Sequence, residues 1–382
     1  MSSSPSEEST NKKMKMTAGC WLREHTVREL VREKRRLVEV PYNATLSSTV
    51  NALTANNILA VPVAAPPGRY IGAGGSMILE SDPATGAVRK HYIGIITMLD
   101  VLVHIAGDEI VGDDDDVDFD GKMAMPVSSV IGHSLEGLTL WTLNPNTSIL
   151  DCMETFSKGV QWGLVPVESQ GDSDAAVELV KASPGYRMLT QIDFLNFLQV
   201  HVDELKDIMT CSVGELDLVN ENVFALTEHT KVLDVIRSMR SFSLAIFPVV
   251  DADAAVDSGE KIVLQDGRGK RLISTFSATD LQPCSIAQIQ SMLKLSVVEF
   301  KERDSETVEK QRQKLITCHY ETTLGEVIVG AALAHVHRVW VVDEQGLLRG
   351  FVSLAEILGA IRNKALATEN ELQDVAATEP AI

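Results

Sequence analysis

Ile246-Phe247-Pro248-Val249-Val250 is a run of five apolar residues with β-branching at three of them. Apolar on both faces, it suits a buried strand rather than an amphipathic surface element. Upstream, Val232, Leu233, Val235, Ile236 and Met239 recur at helical spacing, with Thr230 just before them as a candidate N-cap. Downstream, Arg271-Leu272-Ile273-Ser274-Thr275-Phe276-Ser277-Ala278-Thr279-Asp280 reads as a second strand running into a second helix.

The same unit occurs four times along the chain, and repeats of this kind decide the architecture. The first copy contains Leu37-Val38-Glu39-Val40-Pro41 and then Ala60-Val61-Pro62-Val63. The second has Thr147-Ser148-Ile149 and then Leu164-Val165-Pro166-Val167. The fourth has Thr322-Thr323-Leu324 and then Val339-Trp340-Val341-Val342-Asp343. Ala44 to Pro62 is 18 positions, Thr147 to Pro166 is 19, Thr230 to Pro248 is 18 and Thr322 to Trp340 is 18. Four matches in register exclude coincidence.

Every copy closes on a hydroxyl, two intervening residues and a carboxylate: Thr97 with Asp100, Thr190 with Asp193, Ser277 with Asp280, and Ser353 with Glu356. The connection between the two strands varies, from 35 positions in the first copy (Pro62 to Thr97) to 13 in the fourth (Trp340 to Ser353). Asp343-Glu344-Gln345-Gly346 is a tight-turn signal. Pro66-Pro67-Gly68 and Gly72-Ala73-Gly74-Gly75 mark an insertion, and insertions at one point of a repeat belong on the surface.

Composition narrows the function. Net charge is −19, from 34 basic and 53 acidic residues, so nucleic acid is not the expected partner. The local run Arg32-Glu33-Lys34-Arg35-Arg36 reads as a solvated helix face in preference to a binding patch. Asp113-Asp114-Asp115-Asp116 reads as a solvated linker in preference to a calcium site. Cys20, Cys152, Cys211, Cys284 and Cys318 form no CxxC pair, which suits a reducing compartment. No signal peptide or membrane span is expected, so the cytoplasm, with the nucleus as an additional place, is the expected location. No Walker loop, GxSxG elbow, HExxH helix or kinase signature is present, and no catalytic residue is assigned.

The strand–helix–strand–strand–helix unit ending in hydroxyl-x-x-carboxylate resembles the CBS motif. Four such repeats without an attached catalytic domain resemble the gamma subunit of AMP-activated and sucrose-non-fermenting-type kinases. Thr26 to Tyr42 and Ile71-Gly72-Ala73-Gly74-Gly75-Ser76 are most similar to plant gamma-like subunits. The resemblance implies an α/β (α+β) fold with four β-α-β-β-α repeats paired into two tandem Bateman modules. The repeats are expected at 26–108, 126–202, 203–290 and 291–364, with an acidic linker at 109–125 and disordered ends at 1–25 and 365–382. Each module is expected to bury its Pro-Val strands in a shared core.

The resemblance also implies a non-catalytic regulatory subunit that joins a catalytic alpha-type and a beta-type chain. The alternative is a free-standing adenosine-ligand sensor acting on other enzymes. AMP, ADP or ATP is the implied regulatory ligand, with no cofactor required. Asp100, Asp193, Asp280 and Glu356 match the ribose-binding position, although the longer Glu356 departs from the pattern. Thr97, Thr190, Ser277 and Ser353 match the hydroxyl position near the phosphate. The same four pairs are also ordinary capping boxes, and the sequence leaves both readings open.

Only the fourth repeat keeps a His-Arg pair, His337-Arg338, before its central strand. The equivalent pairs, Leu59-Ala60, Gly163-Leu164 and Ala245-Ile246, are uncharged. Nucleotide binding is therefore expected to be weaker than in a typical gamma subunit, with His337 and Arg338 as its best phosphate contacts. His337 is expected to contribute more on mild acidification. His335 and His337 read as one face of a strand, and with no third ligand a metal is not expected.

Overall fold

In each repeat the leading strand runs parallel to the Pro-Val strand, and the closing strand runs antiparallel on its other side. The computed structural model describes residues 17–65, 92–107, 118–134, 140–167, 185–251, 263–307 and 315–378. Its sheets are Val40–Pro41, Ala60–Ala64 and Tyr92–Thr97; Trp141–Thr142, Trp162–Val167 and Gly185–Thr190; Phe224–Thr227, Ile246–Val250 and Leu272–Ser277; and Thr317–Cys318, Arg338–Val342 and Leu348–Ser353. The third sheet gains a short edge strand, Gln265–Asp266, paired antiparallel to its leading strand. The expected fold class, four β-α-β-β-α repeats, is thus the fold observed. The aspartate run 113–116 and the glycine-rich insertion lie outside the described residues.

The first helix of each repeat links the leading and central strands: Leu46–Asn56, Ile149–Ser157, Val232–Phe242 and Leu324–Ala334. Thr45, Ser148 and Thr323 cap three of them, each hydroxyl accepting from the backbone N–H three residues on. The third helix differs from expectation. Its N-cap is Lys231, which makes no side-chain cap, while the Thr230 hydroxyl turns to that of Thr227, 3.1 Å away. All four helices end next to a left-handed residue: Asn57 (φ 49°), Gly159 (φ 93°), Ser243 (φ 53°) and His335 (φ 52°). Such a residue reverses the chain sharply into the central strand.

The closing helices are Met98–Ala106, Gln191–Val200 and Leu354–Thr378. In the third repeat the expected helix shrinks to a 3₁₀ turn, Ala278–Leu281, followed by Ile286–Met292. Pro283 explains the break, because it lacks an N–H to continue the ladder, although Gln282 before it keeps helical dihedrals (φ −62°, ψ −38°).

The segment ahead of each repeat bridges to the neighbouring repeat. Thr26 pairs with Ser148 and Pro126 with Thr45; Ser212 pairs with Thr323 and Ser296 with Lys231. These exchanges tie the first repeat to the second and the third to the fourth. Sheet faces add to each pair: Ala60 and Ile95 cluster with Trp162, and Ile246 and Val250 cluster with Trp340 and Phe351.

The larger cores run across this division, so the Pro-Val strands of each module share their core with the opposite module. Val61, Val63, Leu102 and Ile105 of the first repeat share one cluster with Ile236, Phe247 and Val249 of the third. Val165, Phe156 and Leu195 of the second share another with Ile328, Val339, Val341 and Leu358 of the fourth. Each Pro-Val strand is buried on both faces because one face meets its module partner and the other looks toward the opposite module.

The expected loose ends are corrected as well. Ala18–Glu24 is a helix that buries Trp21 and Leu22, and the last helix continues through Thr378 with Ala365 fully buried. The two elements meet where Arg23 pairs with Glu369 at 3.4 Å. Within the expected linker, Phe119–Ala124 forms a helix that buries Phe119 and Met123.

Candidate functional site

The two modules enclose a central cavity of about 1450 Å³, with residues of all four repeats in its wall. Two kinds of recurring position build it. The left-handed residues Asn57, Gly159, Ser243 and His335 all line it, as do the helix-start hydroxyls Thr97, Thr190, Ser277 and Ser353. Four-fold recurrence of the unit therefore brings four equivalent helix starts to one space.

The carboxylates of the same motifs behave differently. Only Asp280 lines the cavity. Asp100 is fully buried and accepts four hydrogen bonds, from the N–H and hydroxyl of Thr97 and of Ser134. Burial pushes its carboxyl above the usual range, and these bonds oppose that shift. Oδ2 of Asp193 accepts from the N–H and hydroxyl of Thr190 and from Lys34 Nζ at 2.5 Å. Oδ2 of Asp280 accepts from the Ser277 N–H and from Lys301 Nζ at 2.6 Å. Oε2 of Glu356 accepts from the Ser353 N–H, and the Ser353 hydroxyl accepts from the Glu356 N–H. All four pairs are thus capping boxes in the folded chain, whatever else they do.

Apart from Arg338, the cations come from places the repeat does not mark. Lys34, Arg35, Arg36, Lys301 and Arg338 line the cavity, against the carboxylates Asp280 and Glu302 among the described residues. A chain of strongly negative overall charge therefore gathers more cations than carboxylates along this wall, with Arg35 and Arg36 exposed and Lys34 and Lys301 paired to Asp193 and Asp280. The run from Arg32 to Arg36 is solvated as expected, with Arg32, Glu33, Arg35 and Arg36 exposed, but it is not a helix face: its helix ends at Val31, and residues 34–39 cross to the second repeat as irregular chain. Arg187 Nε donates to the Lys34 carbonyl at 2.7 Å, and Leu37 N donates to the Tyr186 carbonyl at 3.2 Å, which fix this crossing. Lys301 belongs to the helix Val297–Thr307. Its surroundings, Glu299, Glu302 and Arg303, read as an ordinary charged face, so the sequence alone offers no signal for it.

His337 and Arg338 both reach the cavity wall. The Arg338 guanidinium lies over the Phe351 ring, 4.6 Å from its centroid. His335 is not on a strand but is the left-handed cap of the preceding helix, and the strand begins at Arg338. His337 is enclosed by protein apart from its opening onto the cavity. Desolvation, with Arg338 and His335 beside it, holds its pKa down at about 4. It therefore stays neutral through mild acidification, which corrects the sequence-based expectation. Among the described residues no group of three His, Cys, Asp or Glu side chains is placed to hold a metal. None of the five cysteines is disulfide-bonded, and no described helix is long and apolar enough to cross a membrane.

The CBS domain family matches residues 310–363, the fourth repeat. The whole chain is similar to the Arabidopsis thaliana SNF1-related protein kinase regulatory subunit gamma-like PV42a, with 50% identity covering 88% of this chain and 95% of that one. It is similar to PV42b of the same plant at 44% identity, covering 92% and 98%. The chain belongs to the SNF1-related gamma-like regulatory-subunit family. Among solved structures, one from Methanocaldococcus jannaschii, described as a candidate archaeal homologue of the AMP-activated kinase gamma subunit, superposes with a TM-score of 0.58. It covers 87% of this chain and 99% of its own at 17% identity, a likeness of fold. This gamma-like chain thus has four repeats lining a shared central cavity.

Proposed function

We propose that this chain is the non-catalytic regulatory subunit of a Ser/Thr protein kinase, joining a catalytic alpha-type chain and a beta-type chain, with an adenine nucleotide as the regulatory ligand of its central cavity. The observation that carries the reading is 50% identity over nearly the full length of a relative named as a kinase regulatory subunit. The cavity supports the ligand part, since its positive wall suits phosphates and its volume exceeds that of a common small-molecule pocket.

A second reading, a free-standing sensor, is favoured by one feature: all four repeats that line the cavity belong to this one chain. Affinity capture of the tagged full chain from plant tissue, followed by mass spectrometry, separates the two. Recovery of a Ser/Thr kinase catalytic chain in stoichiometric amount is the expected result. Recovery of neither a kinase nor a beta-type chain sinks the subunit reading and leaves the sensor.

A further inference from the structure

Where the first repeat meets the third, Leu102 and Ile105 of the closing helix Met98–Ala106 share an apolar cluster with Ile236 of the helix Val232–Phe242. Cations close the polar rim of this seam. Lys122 Nζ donates to the Ile105 carbonyl at 2.8 Å, and Arg237 Nη2 donates to the Ala106 carbonyl at 3.4 Å. One cation from each module therefore caps the end of the same helix. Two histidines stand with them. The His104 ring, in the last turn of that helix, lies 5.4 Å from the His133 ring, centroid to centroid. The turn that carries His133 is pinned in place, because the N–H and the hydroxyl of Ser134 both donate to Asp100 Oδ1, at 2.8 and 2.6 Å. Nε2 of His104, Nδ1 of His133 and Nε of Arg237 are buried and make no hydrogen bond among the described residues.

We propose that the His104–His133 pair is an acid-sensitive latch on the seam between the two modules, closed while both imidazoles are neutral and opened when they charge. A proton on either buried ring nitrogen adds a charge with no acceptor beside it, which costs far more than at the surface. A second proton adds repulsion across the 5.4 Å between the rings. The groups that bear on His104 act in one direction: burial first, then His133 and Lys122, hold its pKa below the ordinary value. Burial and Arg237 likewise hold Lys122 down, with Asp118 as the opposing charge. The carboxylates of the same elements have partners of their own. Asp118 accepts from the Gly121 N–H at the start of its own helix, Asp234 Oδ1 stands 3.7 Å from Arg237, and Asp100 takes the Ser134 bonds. As the pH falls below the ordinary histidine pKa, the open seam takes up protons that the closed seam refuses, so closure weakens. The same helix begins at Met98 on the cavity wall, so the latch holds one end of an element whose other end lines the central space.

Hydrogen exchange of the full-length chain tests this, read by mass spectrometry at about pH 7.5 and about pH 5.5 with the rates corrected for the intrinsic effect of pH. The amides of Val103 to Gly107 and of Val235 to Met239 are expected to lose about tenfold in protection at the lower pH. Those of Ile149–Ser157, in the core of the second and fourth repeats, are expected to keep theirs. In the double variant His104→Gln, His133→Gln the acid loss at the seam is expected to shrink to about twofold or less. Should the double variant fail to fold, His133→Gln alone carries the test, since its backbone lies in a turn, and its acid loss is expected to stay below about threefold. An undiminished loss in the folded variant shows that other groups open the seam and overturns the latch. Equal protection of the wild-type seam at both pH values overturns it too, as does a loss that reaches Ile149–Ser157 to the same degree, which reports global unfolding.

Discussion

Lys301 Nζ stands 2.6 Å from Oδ2 of Asp280, although 300s and 280s residues belong to different repeats' elements and the carboxylate is nearly inaccessible, 4% exposed against 28% for the lysine. Lys301 also lies near the Phe276 and Phe300 rings, 5.9 and 6.0 Å from their centroids. The pair is therefore asymmetric: one partner reaches water on its own, and the other does not.

Removing the lysine should cost more than removing the charge of the aspartate. Lys301→Met leaves a buried carboxylate with the Ser277 N–H as its remaining partner and is expected to destabilise the fold by about 1–3 kcal/mol. Asp280→Asn keeps an acceptor for Ser277 and leaves a lysine that turns to solvent, so its cost should stay near 1 kcal/mol or below. Urea denaturation of the two variants measures the difference. Equal losses would show that the lysine is not what satisfies the carboxylate.

Gly350 tests the contact between the third and fourth repeats from the backbone side. A Cβ there would lie 2.5 Å from the Asn220 carbonyl oxygen and 2.8 Å from Val219 Cγ1. Asn220 and Phe351 exchange two backbone hydrogen bonds, at 2.9 and 3.0 Å, across this approach. Gly350→Ala must push them apart and is expected to cost about 1–3 kcal/mol. Hydrogen exchange should show the Asn220 and Phe351 amides losing protection first. Unchanged protection with unchanged stability would mean that the two segments do not pack as described.

The repeat and its fold were legible because they depend on local pattern: apolar strands such as Ile246–Val250, a helical stripe such as Val232 to Met239, and a recurring spacing. The motif hydroxyls were legible for the same reason, and all four line the cavity. Of the cations, Arg338 was legible from the repeat position it holds, but Lys34 and Lys301 were not. Lys34 acts 159 positions from Asp193, through a crossing that only tertiary structure defines. Lys301 sits on a helix whose charges alternate as on any surface. Pro283, three residues past Asp280, is the sequence signal for the short 3₁₀ turn of the third repeat. The cross-module cores escaped notice because apolar strands do not say which neighbour covers which face.

Those cores predict how the chain behaves when divided. Phe247, Val249 and Ile236 share their cluster with Val61, Leu102 and Ile105, so either module alone leaves a large apolar face uncovered. Separately produced fragments 17–202 and 203–378 are expected to self-associate or aggregate on their own and to form a 1:1 complex when co-expressed. Size exclusion with light scattering distinguishes the outcomes. Two stable, monodisperse monomers that ignore each other would contradict the shared cores.

His337 gives the pH dependence a definite sign. Its folded pKa is held at about 4, against 6.5 for an ordinary histidine, by desolvation first and by Arg338 and His335 second. The unfolded chain therefore takes up a proton near pH 6.5 that the folded chain refuses until about pH 4. Stability from this group is complete above about pH 6.5, declines as the pH falls toward 4, and changes no further below that. The ceiling is about 3 kcal/mol, from the shift of about 2.5 pH units implied by these two values. His104, also held low by burial, adds a loss of the same sign, whereas the raised carboxyl of Asp100 acts in the opposite direction. Comparison of the wild-type chain with His337→Gln isolates the one term: the variant should lose less stability than wild type between pH 6.5 and 4.5 in guanidinium denaturation. The same low pKa means that lowering the pH from 7.5 to 6 adds no charge at His337, so ATP affinity should not rise through this residue. A rise in affinity over that interval that vanishes in His337→Gln would show that the histidine does charge in the cavity.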